Sequence, residues 1–401
     1  MRPVADAKSV EDTTEYRAKG QRSLAWYLSS LRSRPGAVPA VFIALSLLTG
    51  PAATQGVTVP NAPPVSNLTA KDKPLRIGVL ALGPRYVPAW HCGETDYHPG
   101  PPDPSHDTQP FYVTGLLDQL KKLNYVEDKP ENAGKPGRHF SLIVRTGSPE
   151  DLAAYAQEFA SGEVDIIVAV ATEAVKIAQQ ATRGRPLPIL MTGVSDPVKY
   201  GFVQSLAQPG GSITGVSHQV VQGSGKRVEL FKEILPGLHR ILTMHQAHYA
   251  PSDESMVEIR DAAARLHVDV ADRTVASRGD VENVMANIRA DGDDGIMIVP
   301  DSDIIANVDL VIETSLAQRV AVFGVFDYMA VWGAVAANGP SAYQAGTKVA
   351  WYVDRISNGA RPGDLPVEPL DPQFVINLKA ARCLGINVPL DVLSQADQVI
   401  K

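Results

Sequence analysis

From Leu75 onward, short apolar runs alternate with segments in which apolar residues recur every three or four positions. The run Leu75–Gly83 is rich in branched residues and predicts a strand, and His139–Gly147 predicts another. Between them, Gln109–Glu127 has the spacing of an amphipathic helix. Ser148 and Pro149 then supply an N-cap and a first helical residue for the next helix. The pattern therefore predicts alternating strands and helices.

The same alternation begins again after about residue 225. Helical spacing over 226–238 is followed by strand-like runs at 239–248, 295–301 and 320–327, with further helical segments between them. Strands that are continuously apolar, separated by amphipathic helices, are typical of parallel sheets covered on both faces. We therefore predict an α/β fold of two Rossmann-like lobes with parallel sheets.

The first 73 residues have a different pattern. A polar, arginine-bearing segment precedes the twelve-residue apolar run Ala37–Leu48, and small residues follow it. Twelve residues are too few to span a bilayer, and the arrangement is typical of a secretory signal peptide. We assign residues 1–53 to a signal peptide or N-terminal extension and 54–73 to a linker; a membrane anchor or a buried helix is the alternative. No cysteine closely follows the apolar run, so we expect a periplasmic protein without a lipid-modified cysteine.

Composition narrows the functional classes. Of 401 residues, 44% are hydrophobic and 20% are charged, which is the profile of a globular protein. The net charge of −7 and the lack of a Lys/Arg-rich run argue against a nucleic-acid partner. The two cysteines, Cys92 and Cys383, form no disulfide framework, and we interpret them as two unrelated thiols.

Polar and aromatic residues follow several predicted strands at their carboxyl ends, where open parallel sheets bind ligands. Thr172 opens a helix whose free N–H groups suit a carboxylate, Asp196 or Asp327 could accept from an ammonium, and aromatic rings could stack on a ligand. Capping and turn formation are the structural alternative for Thr172, Ser195 and Asp196. The candidate ligand-binding residues are Tyr86, Thr172, Glu173, Ser195, Asp196, His245, Asp301, Phe326, Asp327 and Tyr328.

Other segments of the chain lack the residue spacing that known phosphate, dinucleotide, catalytic and zinc motifs require. The segment Gly223–Arg227 would need a glycine at Val220 and a hydroxyl residue at Arg227 to bind phosphate as a Walker A loop. No G-x-G-x-x-G follows the first strand, and no nucleophile-elbow motif occurs. The histidine- and proline-rich segment His91–Asp107 matches no closed zinc pattern and is interpreted as a surface or cleft-rim loop. We therefore predict no cofactor, no metal and no catalytic residue.

Several sequence blocks resemble one known family. They include "EVDIIVAVATEAVKIAQQATR", "LPILMTGVSDPVKYGFVQSLAQPGGSITGVS" and "FVINLKAARCLGINVP". From about residue 74 to the end, the chain resembles the ABC-transporter substrate-binding proteins of the tryptophan/tyrosine type. The resemblance implies a type I periplasmic-binding-protein fold, in which two lobes joined by a hinge close on a small ligand and the chain crosses between them more than once.

By that resemblance, residues 74–214 and 333–359 would form lobe 1, and 215–332 and 360–401 would form lobe 2. The implied function is an extracytoplasmic solute receptor that delivers an amino acid or related metabolite to an ABC permease, as a monomer and without enzymatic activity. A ligand-sensing module for a signalling partner and a two-domain α/β enzyme are the alternatives. Glu173 stands where the family often has a small residue or proline, and the segment at His245 replaces a common Asn-Pro.

Overall fold

Two seven-stranded sheets form the framework of the molecule. The structure is a computed structural model, and it describes residues 73–82, 111–185, 187–288, 292 and 294–401. All of these belong to one compact unit of the chain. The predictions for the signal peptide, the linker, Tyr86 and the segment His91–Asp107 lie outside the described residues.

The first sheet is wholly parallel, with strand order β12-β6-β5-β4-β1-β3-β2. Its strands are β1 Leu75–Leu82, β2 Tyr125–Glu127, β3 Arg138–Gly147, β4 Ile166–Val170, β5 Ile189–Val194, β6 Ile213–His218 and β12 Glu368–Leu370. Two apolar clusters cover its two faces, as the continuous apolar runs predict.

The second sheet has the order β14-β13-β11-β10-β9-β7-β8 and is parallel except where β11 meets β13. Its strands are β7 Arg240–His245, β8 Asp269–Thr274, β9 Gly295–Met297, β10 Ala321–Gly324, β11 Ala336–Pro340, β13 Pro372–Asn377 and β14 Gln398–Ile400. Two further apolar clusters pack on it. The predicted fold of two α/β lobes with mostly parallel sheets is confirmed.

The helices cover the sheet faces. They are α1 Phe111–Lys122, α2 Pro149–Glu158, α3 Thr172–Ala181, α4 Ser224–Ile234, α5 Ala250–Arg265, α6 Arg278–Asn287, α7 Ser302–Ala306, α8 Val308–Ala317, α9 Asp327–Val331, α10 Ala342–Ser357, α11 Leu378–Cys383 and α12 Leu390–Leu393. Short 3₁₀ turns lie at Pro130–Asn132 and Pro362–Asp364, and a π-helical turn lies at Phe159–Glu163. Ser148 caps α2 through a capping box with Asp151, as its position predicts.

The chain passes between the sheets at three places: between β6 and α4, between β11 and α10, and between β12 and β13. Sheet membership differs from the predicted lobe boundaries in two segments. Residues 336–340 pair with β10 and β13 in the second sheet, and residues 368–370 pair with β6 in the first. The second crossing therefore follows β11 instead of preceding it, because β11 extends the second sheet before α10 packs against α1.

Arg227 of α4 ties two of these crossings together. Its guanidinium donates to the carbonyl of Val220 at 2.5 Å, in the first crossing, and to the carbonyl of Asn338 at 3.3 Å, just before the second. The side chain is 2% exposed, and burial lowers the pKa of Arg227 to about 10, so it stays charged at neutral pH. The hinge is thus organised around a buried cation bound to main-chain carbonyls.

Cys383, at the end of α11, is disulfide-bonded. The expectation of two unrelated thiols is therefore wrong. The other cysteine of the sequence, Cys92, lies outside the described residues.

Candidate functional site

A cavity of about 600 Å³ lies between the two lobes. Its first-lobe lining follows the carboxyl ends of β1, β3, β4, β5 and β6, and its second-lobe lining follows β7, β9 and β10. Parallel strands bring their carboxyl ends to one sheet edge, which is why segments far apart in sequence meet here. The volume is in the range of small-molecule sites in proteins.

The N-terminus of α3 faces this cavity. Ala171, the residue before the helix, has a left-handed backbone (φ 80°) and supplies no side-chain cap for the first-turn N–H groups. Its own N–H donates to the carbonyl of Thr192 at 2.9 Å, which fixes the turn against β5. Gly193 lies alongside, and a Cβ there would come within 3.0 Å of the Ala171 nitrogen. Uncapped N–H groups at a helix N-terminus favour an anion.

Aromatic rings form much of the opposite wall. The ring of Phe326 stacks on Tyr328 with centroids 5.6 Å apart, and Tyr328 lies 4.6 Å from Trp332. Phe111, from the first lobe, stacks on the other side of Tyr328 at 6.3 Å. All four rings line the cavity, so it has an apolar wall suited to an aromatic or aliphatic ligand group.

Asp301 is fully buried beside this wall and caps α7. Its carboxylate accepts hydrogen bonds from the main chain and side chain of Gln246 at 2.8 and 3.1 Å and from the Ser252 hydroxyl at 2.6 Å. It also accepts from the main-chain N–H groups of Asp303 and Ile304 at 3.0 and 3.2 Å. Five donors from its own lobe occupy the oxygens, so Asp301 shapes the cavity wall and has little capacity left for a ligand.

His218 ends β6 at the first crossing and is 4% exposed. Burial lowers the pKa of His218 to about 3, so the imidazole is neutral at pH 7. One ring nitrogen, Nε2, lies 3.1 Å from the Thr192 hydroxyl, and the other, Nδ1, has no hydrogen-bond partner in the described part of the chain. The ring also packs edge-on against Phe326 of the second lobe, with centroids 6.0 Å apart.

The two lobes contact each other around the cavity. Lys199, after β5, forms an ion pair with Glu254 of α5. Burial raises the pKa of Tyr249, and hydrogen bonding with Ser302 of its own lobe and Thr172 of the first lobe opposes that rise. Contacts of this kind hold the lobes together over the cavity.

Half of the sequence-predicted residues come together in the lining. They are Thr172, Ser195, Asp301, Phe326 and Tyr328. All five follow strand carboxyl ends, where open parallel sheets form their crevices. Whether each of these side chains touches a ligand stays a prediction.

Four other predicted residues lie outside the lining and have local partners. Glu173 pairs with Lys176 at 3.5 Å, and the carboxylate of Asp196 accepts from the Lys199 main chain at 2.9 Å. His245 lies 3.0 Å from Asp272. Asp327 accepts from the Ala342 N–H at 3.0 Å, and burial raises its pKa. These partners support the structural interpretation for all four.

Sequence reasoning missed several lining residues. His218 and Arg145 lie at strand carboxyl ends, so the same rule applied to "ITGVSH" and "LIVRTG" would have found them. Phe111, Tyr249 and Trp332 come from helices and loops, and nothing in their local sequence signals a cavity. Among the described residues, no group of His, Cys, Asp or Glu side chains could hold a metal ion.

Two mostly parallel lobes, joined by three crossings and enclosing a cavity at their strand ends, define a two-lobe ligand-binding protein. A profile of the ABC transporter substrate binding protein family matches residues 104–400. The chain belongs to that family, whose members bind substrates and are not enzymes. In the described part of the chain, we find no helix with the length and apolarity that a membrane span requires.

Known relatives agree with this assignment. The tyrosine-binding protein of Clostridioides difficile (strain R20291) is 24% identical over 274 residues, which cover 67% of this chain and 77% of the relative. A conserved domain protein of Vibrio cholerae is 28% identical, with a TM-score of 0.63 over 82% of this chain and 100% of its own. An ABC domain from Streptococcus pneumoniae in complex with L-Trp is 22% identical, with a TM-score of 0.61 and the same coverage.

Proposed function

We propose that this chain is the extracytoplasmic receptor of an ABC importer and that it captures a small molecule of the α-amino-acid class. The observation that carries the proposal is the uncapped N-terminus of α3 in a cavity walled by aromatic rings. The helix N-terminus suits a carboxylate, and the aromatic wall suits an apolar side chain. A hydrophobic amino acid carries both groups.

The carboxylate would bind at the first turn of α3. Ala171, the residue before the helix, cannot cap α3 because its methyl side chain has no hydrogen-bond acceptor. Gly193 places no side chain beside the Ala171 nitrogen. The side chain would lie against Phe326 and Tyr328, whose stacked rings are held from both sides by neighbouring aromatics. The relative named for tyrosine binding supports an aromatic amino acid.

Delivery to a permease and a location outside the cytoplasm belong to the same proposal. Family membership supports both, since the members are substrate-binding components of ABC transporters. The disulfide of Cys383 supports an oxidising compartment, because such bonds are rare in the reducing cytoplasm. The contacts that join the lobes would form the closed shape that a permease recognises.

Isothermal titration calorimetry of the whole chain against the twenty amino acids tests the proposal. We expect at least one aromatic or large aliphatic amino acid to bind, and its decarboxylated amine to bind at least about tenfold more weakly because it cannot use the helix N-terminus. Phe326→Ala should weaken the best ligand by a similar factor. Tyr343→Ala removes an exposed ring outside the cavity and serves as the matched control.

Absence of binding by every amino acid would refute the proposal. Equal affinity for an amino acid and its decarboxylated amine would refute the role of α3. An equal loss of affinity in Phe326→Ala and Tyr343→Ala would refute the aromatic wall.

A further inference from the structure

Arg145 is a cation in the cavity lining that has no polar partner among the described residues. It lies near the carboxyl end of β3 and is half-buried. Its guanidinium lies over an aromatic ring and makes no hydrogen bond or ion pair with any described residue. A guanidinium carries five N–H donors, so an arginine that faces a cavity without an acceptor is available to an anion.

Tyr155 of α2 holds this guanidinium in place. The Arg145 Cζ lies 5.5 Å from the centroid of the Tyr155 ring, and both residues line the cavity. Stacking on a ring occupies one face of the guanidinium and leaves the N–H groups at its edge free. Glu158 lines the same end but is exposed, so solvent screens its charge more strongly.

The main chain of Arg145 and the strand that leads into α3 lie on either side of β1. Leu80 of β1 pairs with Arg145 on one side and with Ala169 on the other, so β3 and β4 lie one strand apart at the same level. Two inter-strand spacings of ~4.8 Å place the strands about 10 Å apart. Strands this far apart leave room for the two features to hold two different acidic groups of one ligand.

We propose that Arg145 forms a second anion subsite and that the preferred ligand is an amino acid whose side chain ends in an acidic group. The inference rests on the proposed function, because it places the α-carboxylate at α3. An aromatic or extended spacer between the two acidic groups would lie against Phe326 and Tyr328. The planar N–H fork of Arg145 matches a carboxylate in two parallel hydrogen bonds.

A pair of isosteric probes tests this subsite: 4-carboxy-L-phenylalanine, which has the second carboxylate, and 4-carbamoyl-L-phenylalanine, which carries an uncharged amide of the same shape. We expect the whole chain to bind the carboxy compound on the order of 10- to 100-fold more tightly in calorimetry. Arg145→Gln should remove that ratio while leaving the affinity for the carbamoyl compound within about twofold. Arg145→Lys should keep part of the ratio, because a lysine retains the charge without the two-donor fork.

Two controls separate this subsite from the proposed function. Tyr343→Ala should leave the ratio unchanged, since that ring lies outside the cavity. The inference would be overturned by equal affinities for the two probes or by a ratio that survives Arg145→Gln. It would also be overturned if ordinary aromatic amino acids bound and neither probe did. Failure of every amino acid to bind would overturn the proposed function and this inference together.

Discussion

Lowering the pH should destabilise the fold through His218. The pKa of this histidine is about 3 in the folded protein, against about 6.5 in an unfolded chain. Between these values the unfolded state binds a proton that the folded state does not, so stability falls as the pH decreases below 6.5. The contribution is fully present above pH 6.5 and is lost progressively down to pH 3.

The magnitude follows from the two pKa values. Moving from pH 7 to pH 5 protonates nearly all of the unfolded histidine and almost none of the folded one, which costs about 2 kcal/mol of unfolding free energy. That is a large fraction of the stability of an ordinary domain. Raised pKa values at Asp303, Glu313 and Asp327 act in the opposite direction, so the effect of His218 must be isolated by substitution.

Urea denaturation at pH 7, 6 and 5 provides the measurement, with wild type compared with His218→Gln. Glutamine can keep the hydrogen bond to Thr192 without a titrating group. We expect the difference in unfolding free energy between the two proteins to shift by about 2 kcal/mol in favour of His218→Gln between pH 7 and pH 5. His239→Gln, at an exposed position, serves as the control and should follow wild type. Parallel pH profiles for wild type and His218→Gln would refute the reasoning.

Three further substitutions probe packing, closure and the site. Gly346→Ala should lower the unfolding free energy in urea by about 1–3 kcal/mol, because a Cβ there would overlap the main chain of α1. At Gly225 a Cβ would make only ordinary van der Waals contacts at 3.6 Å, so Gly225→Ala should not destabilise. Lys199→Gln removes the ion pair with Glu254 and should weaken ligand binding in calorimetry by no more than about fivefold, since the pair is exposed. Gly193→Ala, at φ 73°, should weaken ligand binding in the same assay by at least about tenfold through displacement of the α3 N-terminus. An unchanged unfolding free energy in Gly346→Ala, a loss of affinity well above fivefold in Lys199→Gln, or an unchanged affinity in Gly193→Ala would contradict the corresponding expectation.

The period of apolar residues is sufficient to predict the strands and helices of this chain, because both faces of each sheet are covered. It does not specify which sheet a strand joins. Residues 336–340 and 368–370 are short and bounded by proline or glycine, and long-range pairing decides their place. The predicted lobe boundaries differ from sheet membership at these two segments for that reason.

The cavity edge was predictable, but the orientation of each side chain was not. Ser195 and Asp196 are adjacent, yet Ser195 lines the cavity and Asp196 bonds to the Lys199 main chain within its turn. A strand exit rotates neighbouring side chains in different directions, and the turn geometry decides which one faces inward. The free N–H groups of α3 were predictable, because Ala171 before the helix has no side-chain acceptor, but the left-handed backbone of Ala171 was not.

The two lobes contribute different kinds of group to the cavity, and this difference explains why lobe closure would strengthen ligand binding. The features that attract anions, the α3 N-terminus and Arg145, both belong to the first lobe, whereas Asp301 of the second lobe is saturated by its own hydrogen bonds. The second lobe contributes the stacked pair Phe326 and Tyr328. In the proposed function, a ligand binds the first lobe through its charge and then contacts the aromatic rings of the second lobe when the two lobes close. That differential affinity for the closed arrangement is what a ligand needs to shift the population of a hinged protein.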